Sequence, residues 1–409
     1  MTAMTWRRTA IICLTATLAL TACTDQDKKQ DDGQQVQIIA GGGTNPDATK
    51  ALDLALTGNT SDLEIGRDGT VRLLVNDEDR VSIWAFAPDG AAHRILVDPK
   101  ITDASQLAVA QDGTMYVSHS GKGVGMVSKI SPTGQATRIV GNGHAGATAD
   151  GGTALGPADD IGGITVDADG NLVYGEVRDF RAQNQAMGLL RRVMSGKVET
   201  IAGQAVPYRS EEAFGQAIPG SVSPPNGTKS LDWPLPGDFQ LNSLASGDDG
   251  TIYAQAEGGV LAFSSDGTVR GVARRRDPGA ANPGEKPFAR DGDAADAHPL
   301  FTAGTGISFD RGYIAMPITV NPPENRRQIP AAFHWKGQYT ADQSAIVESA
   351  LQINDGQDTQ KMVRLVQPDG SLTTAGWPVQ NAAVGAGNIY LLVTARNGRS
   401  LIGRLSLPT

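Results

Sequence analysis

The residues best suited to metal or acid–base chemistry are five histidines, and none of them forms an HxH or HExxH arrangement. His119 closes a predicted strand, whereas His144 and His298 lie in long connections. If these three side chains met on one face of the fold, their imidazoles would be candidate ligands for zinc. The pattern predicts no cofactor, and a bound zinc or calcium ion stays open as an alternative.

Two glycine-rich connections carry carboxylates at close spacing, one at 141–160 and one at 289–298. Such side chains could coordinate a cation or accept hydrogen bonds from a ligand, or they could cap and turn their own loops. The second connection lacks the downstream glutamate of an EF-hand, which argues against calcium. The candidate carboxylates are those of Asp150, Asp159, Asp160, Asp291 and Asp293.

Three larger side chains in or beside long connections, Arg178, Arg274 and Trp335, are further candidates for ligand contacts. The guanidinium of Arg274 could face an anionic ligand, or it could pair with nearby carboxylates. Aromatic residues make up only 5% of the chain, which disfavours a sugar-stacking platform. No GxSxG motif, P-loop or strand-linked GxGxxG motif occurs.

The N-terminal segment has the pattern of an export signal. Arg7-Arg8 precede an apolar run at 10–22 that is too short to span a bilayer as a helix. The run ends in LTAC at 20–23, which resembles the lipobox of bacterial lipoproteins. The resemblance implies cleavage before Cys23 and attachment of diacylglycerol to its thiol. Ordinary signal-peptide cleavage with an incidental cysteine is the alternative.

The lipobox would divide the chain into a signal peptide at 1–22, a lipidated cysteine with a polar tether at 23–35, and a domain at 36–409. Removing the signal peptide takes away two positive charges, so the net charge of −9 becomes −11. This acidity argues against nucleic acid as a partner. We expect the protein in the bacterial cell envelope, facing outside the cytoplasm and attached to the membrane through its lipid.

The domain at 36–409 repeats one phrase of four short alternating segments joined by tight turns. Its clearest copy begins GITVDADGNLVYGE at 163–176, and six such units occur. The closest corresponding glycines, Gly69 and Gly113, are 44 residues apart, which is typical of one propeller blade. The sequence therefore predicts an all-β fold, a six-bladed β-propeller.

Two details refine this prediction. The sixth unit stops after its third strand, and VQIIAGG at 36–42 supplies the missing strand, so that the N-terminal strand closes the ring. In the third unit GITVDADGNLVYGE is followed by LLRRV and VETIAG, a succession that resembles the NHL repeat. NHL proteins include peptide-amidating lyases, sensor domains of bacterial kinases and binding scaffolds, so the resemblance implies the fold more firmly than the activity.

The strands of each unit are named a to d from the centre of the ring outward. The a–b and c–d turns are short and glycine-containing, and they define a short-turn face. The long d–a and b–c connections define a loop-rich face, and all of them are expected to surround the mouth of the central channel. These connections are 42–60, 142–159, 178–188, 204–239, 274–303 and 321–360, the last with a predicted helix at 340–353.

The sequence favours an envelope lipoprotein whose propeller binds a peptide, a protein or a glycan on the loop-rich face. A metal-dependent NHL-type lyase or hydrolase with its site at the channel mouth is the alternative. A purely structural interaction module is the third hypothesis.

Overall fold

The strands of the propeller domain are described by a computed structural model. It describes residues 37–77, 80–121, 124–146, 148–180, 185–203, 206–207, 224–225, 227–233, 235, 241, 243–256, 259–275, 299–300, 306–320, 360–366, 369, 371–374, 379–394 and 399–407. Cys23, the tether, the insert with the predicted helix at 340–353, His298, Asp291, Asp293 and Trp335 lie outside the described residues.

The described part of the chain is built almost entirely of strands, with one 3-10 turn at Ala51–Asp53. In chain order the first thirteen strands are β1 (Gln37–Gly41), β2 (Asn59–Ile65), β3 (Val71–Asn76), β4 (Val81–Phe86), β5 (Ala92–Leu96), β6 (Ala104–Val109), β7 (Met115–Gly121), β8 (Val124–Ile130), β9 (Ala136–Val140), β10 (Asp160–Val166), β11 (Leu172–Phe180), β12 (Gln185–Met194) and β13 (Lys197–Ala202). The others are β14 (Val206–Pro207), β15 (Ser243–Ser246), β16 (Ile252–Ala256), β17 (Gly259–Phe263), β18 (Val269–Arg275), β19 (Pro299–Leu300), β20 (Ser308–Asp310), β21 (Tyr313–Val320), β22 (Gln360–Val366), β23 (Leu372–Thr374), β24 (Asn381–Gly385), β25 (Asn388–Thr394) and β26 (Ser400–Ser406).

These strands form six sheets, numbered in chain order, with the orders β2-β3-β4-β5, β6-β7-β8-β9, β10-β11-β12-β13, β15-β16-β17-β18-β19, β20-β21-β22-β23 and β24-β25-β26-β1. The short strand β14 also pairs with β12 in sheet 3. The innermost strand of each sheet lies against the innermost strands of both neighbouring sheets, and β24 lies against β2. The sheets therefore form a closed ring, and the predicted all-β propeller is confirmed.

The N-terminal strand closes this ring, as the sequence predicts. β1 pairs antiparallel with β26, from Gln37 opposite Arg404 to Gly41 opposite Leu401. Adjacent sheets pack through apolar side chains, so that removing these surfaces from water stabilises the ring as well as each sheet. The cluster between sheets 6 and 1 shows this, since Leu63, Leu73 and Phe86 pack with Tyr390 and Ile402.

The tight turns also follow the sequence pattern. Ten described glycines at the a–b and c–d turns have φ between 74° and 88°, the left-handed region in which a Cβ is unfavourable. The aspartates beside them accept hydrogen bonds from the backbone of the turn, as Asp68 does from Thr70 and Asp112 does from Thr114. These aspartates therefore stabilise turns.

The expectation that all long connections surround the channel mouth is wrong for the described parts. Three d–a connections fold instead onto the c–d turn of the following sheet, where the amides of Ala51, Ala154 and Ser230 donate to the turn carbonyls at 2.9 Å. The proposed interruption at 178–188 is largely strand, because β11 and β12 pair from Leu172 opposite Val193 to Phe180 opposite Gln185. Among the described residues, no helix is long and apolar enough to cross a membrane.

Candidate functional site

A cavity of about 280 Å³ lies on the axis of the ring, where the innermost strands end in the a–b turns. All six sheets contribute residues to its wall, which is mostly polar. The cavity exists because the innermost strands carry small side chains at the level of Glu64. The residues at the equivalent positions of the other five sheets are Ala108, Thr165, Ala245, Ser308 and Ala383.

Glu64 is therefore the one ionisable side chain at this level of the ring. It is half-buried on β2 and lines the axial cavity. Its cross-strand neighbour on β3 is Arg72, whose positive charge attracts the carboxylate, although no lysine, arginine or histidine among the described residues forms an ion pair with it. A half-buried carboxylate that borders a polar cavity is suited to receive a positively charged group from a ligand.

Asp62 lies two residues earlier on the same strand and is 3% exposed. Its carboxylate accepts hydrogen bonds from the amide of Leu107 at 2.8 Å, from Nδ2 of Asn381 at 2.9 Å and from its neighbour Leu63 at 3.0 Å. These contacts join sheets 1, 2 and 6 near the axis. The side chains of Gln106, Ser243 and Asn381, at the positions equivalent to Asp62 in sheets 2, 4 and 6, are also buried.

Burial controls the protonation of both carboxyl groups. Desolvation raises the pKa of Asp62 from 3.8 to about 6, against the opposing effect of its hydrogen bonds to Leu107 and Asn381. Desolvation, followed by repulsion from Asp62, raises the pKa of Glu64 well above its usual value. The pair therefore retains a proton at a pH where exposed carboxylates are ionised.

We expect Asp62 and Glu64 to lower the unfolding free energy as the pH rises from about 4 to 7, while His119 acts in the opposite direction. Raised pKa values mean that the folded state holds its protons more tightly, so stability is highest below the unfolded pKa and is lost as the pH rises through the folded pKa. For Asp62 the difference amounts to at most about 3 kcal/mol. Urea denaturation at several pH values measures it.

The Glu64→Gln variant is the matched control for this pH dependence. It should be more stable than the wild type at pH 8 and similar to it near pH 4, where Glu64 is neutral in both states. Comparing the two proteins at each pH cancels the contribution of His119, which has the opposite sign because its pKa is lowered to about 4. Parallel curves for the two proteins would contradict the assignment of a raised pKa to Glu64.

The other charged groups at the axial cavity are already paired or exposed. Asp167 lies 3.1 Å from Nε of Arg192 and accepts from the amide of Asn171 at 2.8 Å. Asp310 accepts from the amide of Gly387 at 3.1 Å and lies 3.3 Å from Nε of Arg311. Among the described carboxylates of this cavity, Glu64 is therefore the one that is neither exposed nor in an ion pair.

The three described candidate carboxylates, those of Asp150, Asp159 and Asp160, do not line the axial cavity. Asp150 accepts from the amide and hydroxyl of Thr200 at 3.1 and 2.8 Å, and Asp159 accepts from the amide of Gly146 at 2.9 Å. These hydrogen bonds stabilise the d–a connection between sheets 2 and 3. Asp160 is exposed at the start of β10. A ligand role for the three carboxylates stays a prediction.

The candidate metal ligands are not brought together among the described residues. His119 is 4% exposed, and its Nε2 lies 2.9 Å from Oγ of Ser128 in the neighbouring strand. His144 is exposed in the connection between sheets 2 and 3. The described part of the chain contains no group of three or more histidine, cysteine, aspartate or glutamate side chains placed to hold a metal.

The two candidate arginines lie in strands, at backbone positions that the pairing defines. Arg178 lies opposite Met187 in sheet 3, and Arg274 lies opposite Pro299 where β18 and β19 run parallel.

The sequence did not single out Asp62, Glu64 and Asn381 as site residues. The acidic pair in DLEI at 62–65 could have indicated the site, because the other units carry a small residue at the position equivalent to Glu64.

No family model matches the chain, and no curated protein matches it. A protein of unknown function from Bacteroides thetaiotaomicron is 12% identical, with 91% of this chain and 76% of that chain covered and a TM-score of 0.47. An aldose sugar dehydrogenase from Streptomyces coelicolor is 10% identical, with 90% and 97% covered and a TM-score of 0.44. A gluconolactonase from Xanthomonas campestris is 14% identical, with 91% and 96% covered and a TM-score of 0.43. Such similarity concerns the fold and not the activity.

Proposed function

We propose that this protein is an envelope-anchored lipoprotein whose NHL-like propeller binds a peptide or protein through a cationic group held in the axial cavity. The observation that carries the proposal is Glu64, a half-buried carboxyl group that borders the cavity without an ion pair among the described residues. Under this proposal the ligand binds at the short-turn end of the axis, whereas the sequence predicts the loop-rich face.

The chemistry of recognition follows from the two carboxyl groups. An ammonium or guanidinium group entering the cavity would pair with Glu64, and the negative charge of Asp62 behind it would strengthen the attraction. Because a nearby cation favours the ionised form, binding would release the proton that the pair retains. Affinity for a cationic ligand should therefore increase between pH 5 and pH 8.

Matched pentapeptides with the sequences GGKGG, GGRGG, GGQGG and GGEGG test the proposal by calorimetric titration of the full chain. We expect the lysine or arginine peptide to bind at least about tenfold more tightly than the glutamine peptide at pH 8, which corresponds to about 1.4 kcal/mol. Glu64→Gln should remove that preference and its pH dependence. Equal affinity for all four peptides would exclude a cation-selective cavity.

A second candidate function is a lyase or hydrolase with a metal at the channel mouth. The observation in its favour is that Glu64 retains a proton beside a cavity, as a general acid requires. A stoichiometric zinc or calcium content in the purified protein that falls in the Glu64→Gln variant would support this function over binding alone.

A further inference from the structure

Exposed apolar side chains are concentrated at one kind of turn. Five large apolar residues are exposed among those that the structure describes, and four of them lie at the c–d turns of sheets 1, 3 and 4. They are Leu52, Leu155, Met194 and Leu231, with exposed fractions of 45%, 50%, 46% and 53%. Scattered single residues would need no explanation, but a recurrent position does.

The three leucines occupy equivalent positions of three equivalent segments. Each leucine follows a residue whose amide donates to the carbonyl of a c–d turn glycine, namely Ala51 to Gly90, Ala154 to Gly196 and Ser230 to Gly267, all at 2.9 Å. In each segment a second hydrogen bond returns from the strand after the turn, from Ala92 to Thr49, Val198 to Gly152 and Val269 to Thr228. Sequence equivalents around a ring lie at the same height along its axis. The leucines, referred to here as the rim leucines, therefore share one plane.

The rim leucines lie at the same end of the ring as the axial cavity. Leu52 lines a groove of about 880 Å³ between sheets 6 and 1, together with the a–b turn glycine Gly69. Leu231 lines a groove of about 440 Å³ between sheets 3 and 4, together with the corresponding glycine Gly250. In a ring of six sheets these two grooves are on opposite sides of the axis. The short-turn face thus has apolar side chains at its rim and a centre where four carboxyl groups, those of Glu64, Asp167, Asp248 and Asp310, outnumber the one exposed cation, Arg67.

We propose that the short-turn face is the docking surface for a folded protein with a basic side chain at its centre and apolar side chains around it. The inference deepens the proposed function, on which its central contact rests. The partner is expected to present a basic side chain at its centre, because the carboxyl groups of Glu64 and Asp62 lie on the axis and attract a positive charge. The rim leucines are far apart, and a short peptide in the cavity cannot contact sheets 1, 3 and 4 at once. The partner is therefore expected to be a folded protein.

The topology also defines the side from which this partner approaches. β1 begins at Gln37, and Gln37 lines the groove that contains Leu52. The preceding residues, including Cys23, therefore join the propeller at the short-turn face. The thirteen residues from 24 to 36 span at most about 45 Å when extended. With Cys23 lipidated, the partner is a membrane-proximal protein that lies between the propeller and the bilayer.

Site-specific photocrosslinking in native envelopes tests this surface. A photoreactive amino acid replaces Leu52, Leu155 or Leu231 in the full chain, and Asn59 serves as the control because it is exposed at the opposite end of β2. We expect a protein adduct of one and the same mass from the three rim positions and none from Asn59. Introducing Leu231→Asp should reduce the adduct yield at Leu52 and Leu155 by about tenfold, the smallest factor expected from losing one buried leucine.

The possible outcomes separate this inference from the proposed function. Adducts with lipid alone would overturn the protein partner and indicate that the rim leucines contact the bilayer. Equal protein adducts from Asn59 and the rim, or no adduct at the rim, would also overturn it. Rim adducts that persist in Glu64→Gln would support the docking surface and count against a cation in the cavity. Soluble Cys23→Ser protein that loses the adducts would support a membrane-proximal partner.

Discussion

Replacing Arg191 by methionine is expected to destabilise the propeller by about 3–5 kcal/mol. Arg191 is 2% exposed, and its guanidinium lies 3.5 Å from Glu176, whose side chain is also buried, and 3.5 Å from Asp150. It also donates to the carbonyl of Thr148 at 2.7 Å. Removing it takes away an arginine that pairs with the buried carboxylate of Glu176 and releases the d–a connection of sheets 2 and 3.

Equilibrium urea denaturation followed by tryptophan fluorescence measures this loss. Arg311→Met is the matched control, since Arg311 pairs with Asp310 at 3.3 Å but its side chain is 60% exposed, and the loss there should stay below about 1 kcal/mol. The double variant Arg191→Met/Glu176→Leu should recover much of the stability, because it buries no unpaired charge. Similar losses for Arg191→Met and Arg311→Met would contradict the buried ion pair.

Gly134→Ala should destabilise the protein by about 3 kcal/mol or more, whereas Gly113→Ala should cost only about 1–2 kcal/mol. The two glycines have almost the same φ, 84° and 83°, and both occupy tight turns of sheet 2. An alanine therefore suffers the same left-handed strain at either position. At Gly134 its Cβ would also overlap with the carbonyl oxygen of Leu96, while nothing lies within 4 Å at Gly113.

The comparison isolates the packing of sheet 1 against the c–d turn of sheet 2. The carbonyl of Gly134 accepts from the amide of Asp98 at 2.9 Å, so an alanine at 134 would also push this hydrogen bond apart. The melting temperatures of the Gly134→Ala and Gly113→Ala variants, measured in parallel, rank their stabilities. Equal melting temperatures would mean that the connection after β5 can shift away from the new methyl group at position 134 without loss of stability.

Much of the fold could be predicted from the sequence because it depends on local chemistry. Asp-Gly turns require positive φ, and alternating apolar residues require a two-sided sheet, so each unit specifies four strands without reference to the others. The closure by β1 was predictable for a different reason, since the sixth unit lacks a strand and the N-terminal segment has the matching pattern. The position of the long connections was not predictable, because the hydrogen bonds of Ala51, Ala154 and Ser230 join residues far apart in the chain.

The candidate site was hidden for a related reason. Asp62 and Glu64 occur in the polar and apolar alternation of an ordinary strand, and only the ring brings them to the axis beside Asn381, which is 319 residues away. His119 shows the reverse effect. Its residue type suggested a ligand, but its position in β7 turns the imidazole toward Ser128 inside the sheet.

The pairing of β1 with β26 also determines the order in which the protein can fold. The partners Gln37 and Arg404 are 367 residues apart, so β1 cannot pair with β26 until nearly all of the propeller domain has been synthesised. Such non-local pairing is slow, because the entropy of closing the loop is lost before the contacts form. The ring of six sheets therefore cannot close before both strands have been synthesised, and a chain that ends before β26 leaves sheet 6 without its contact to β1.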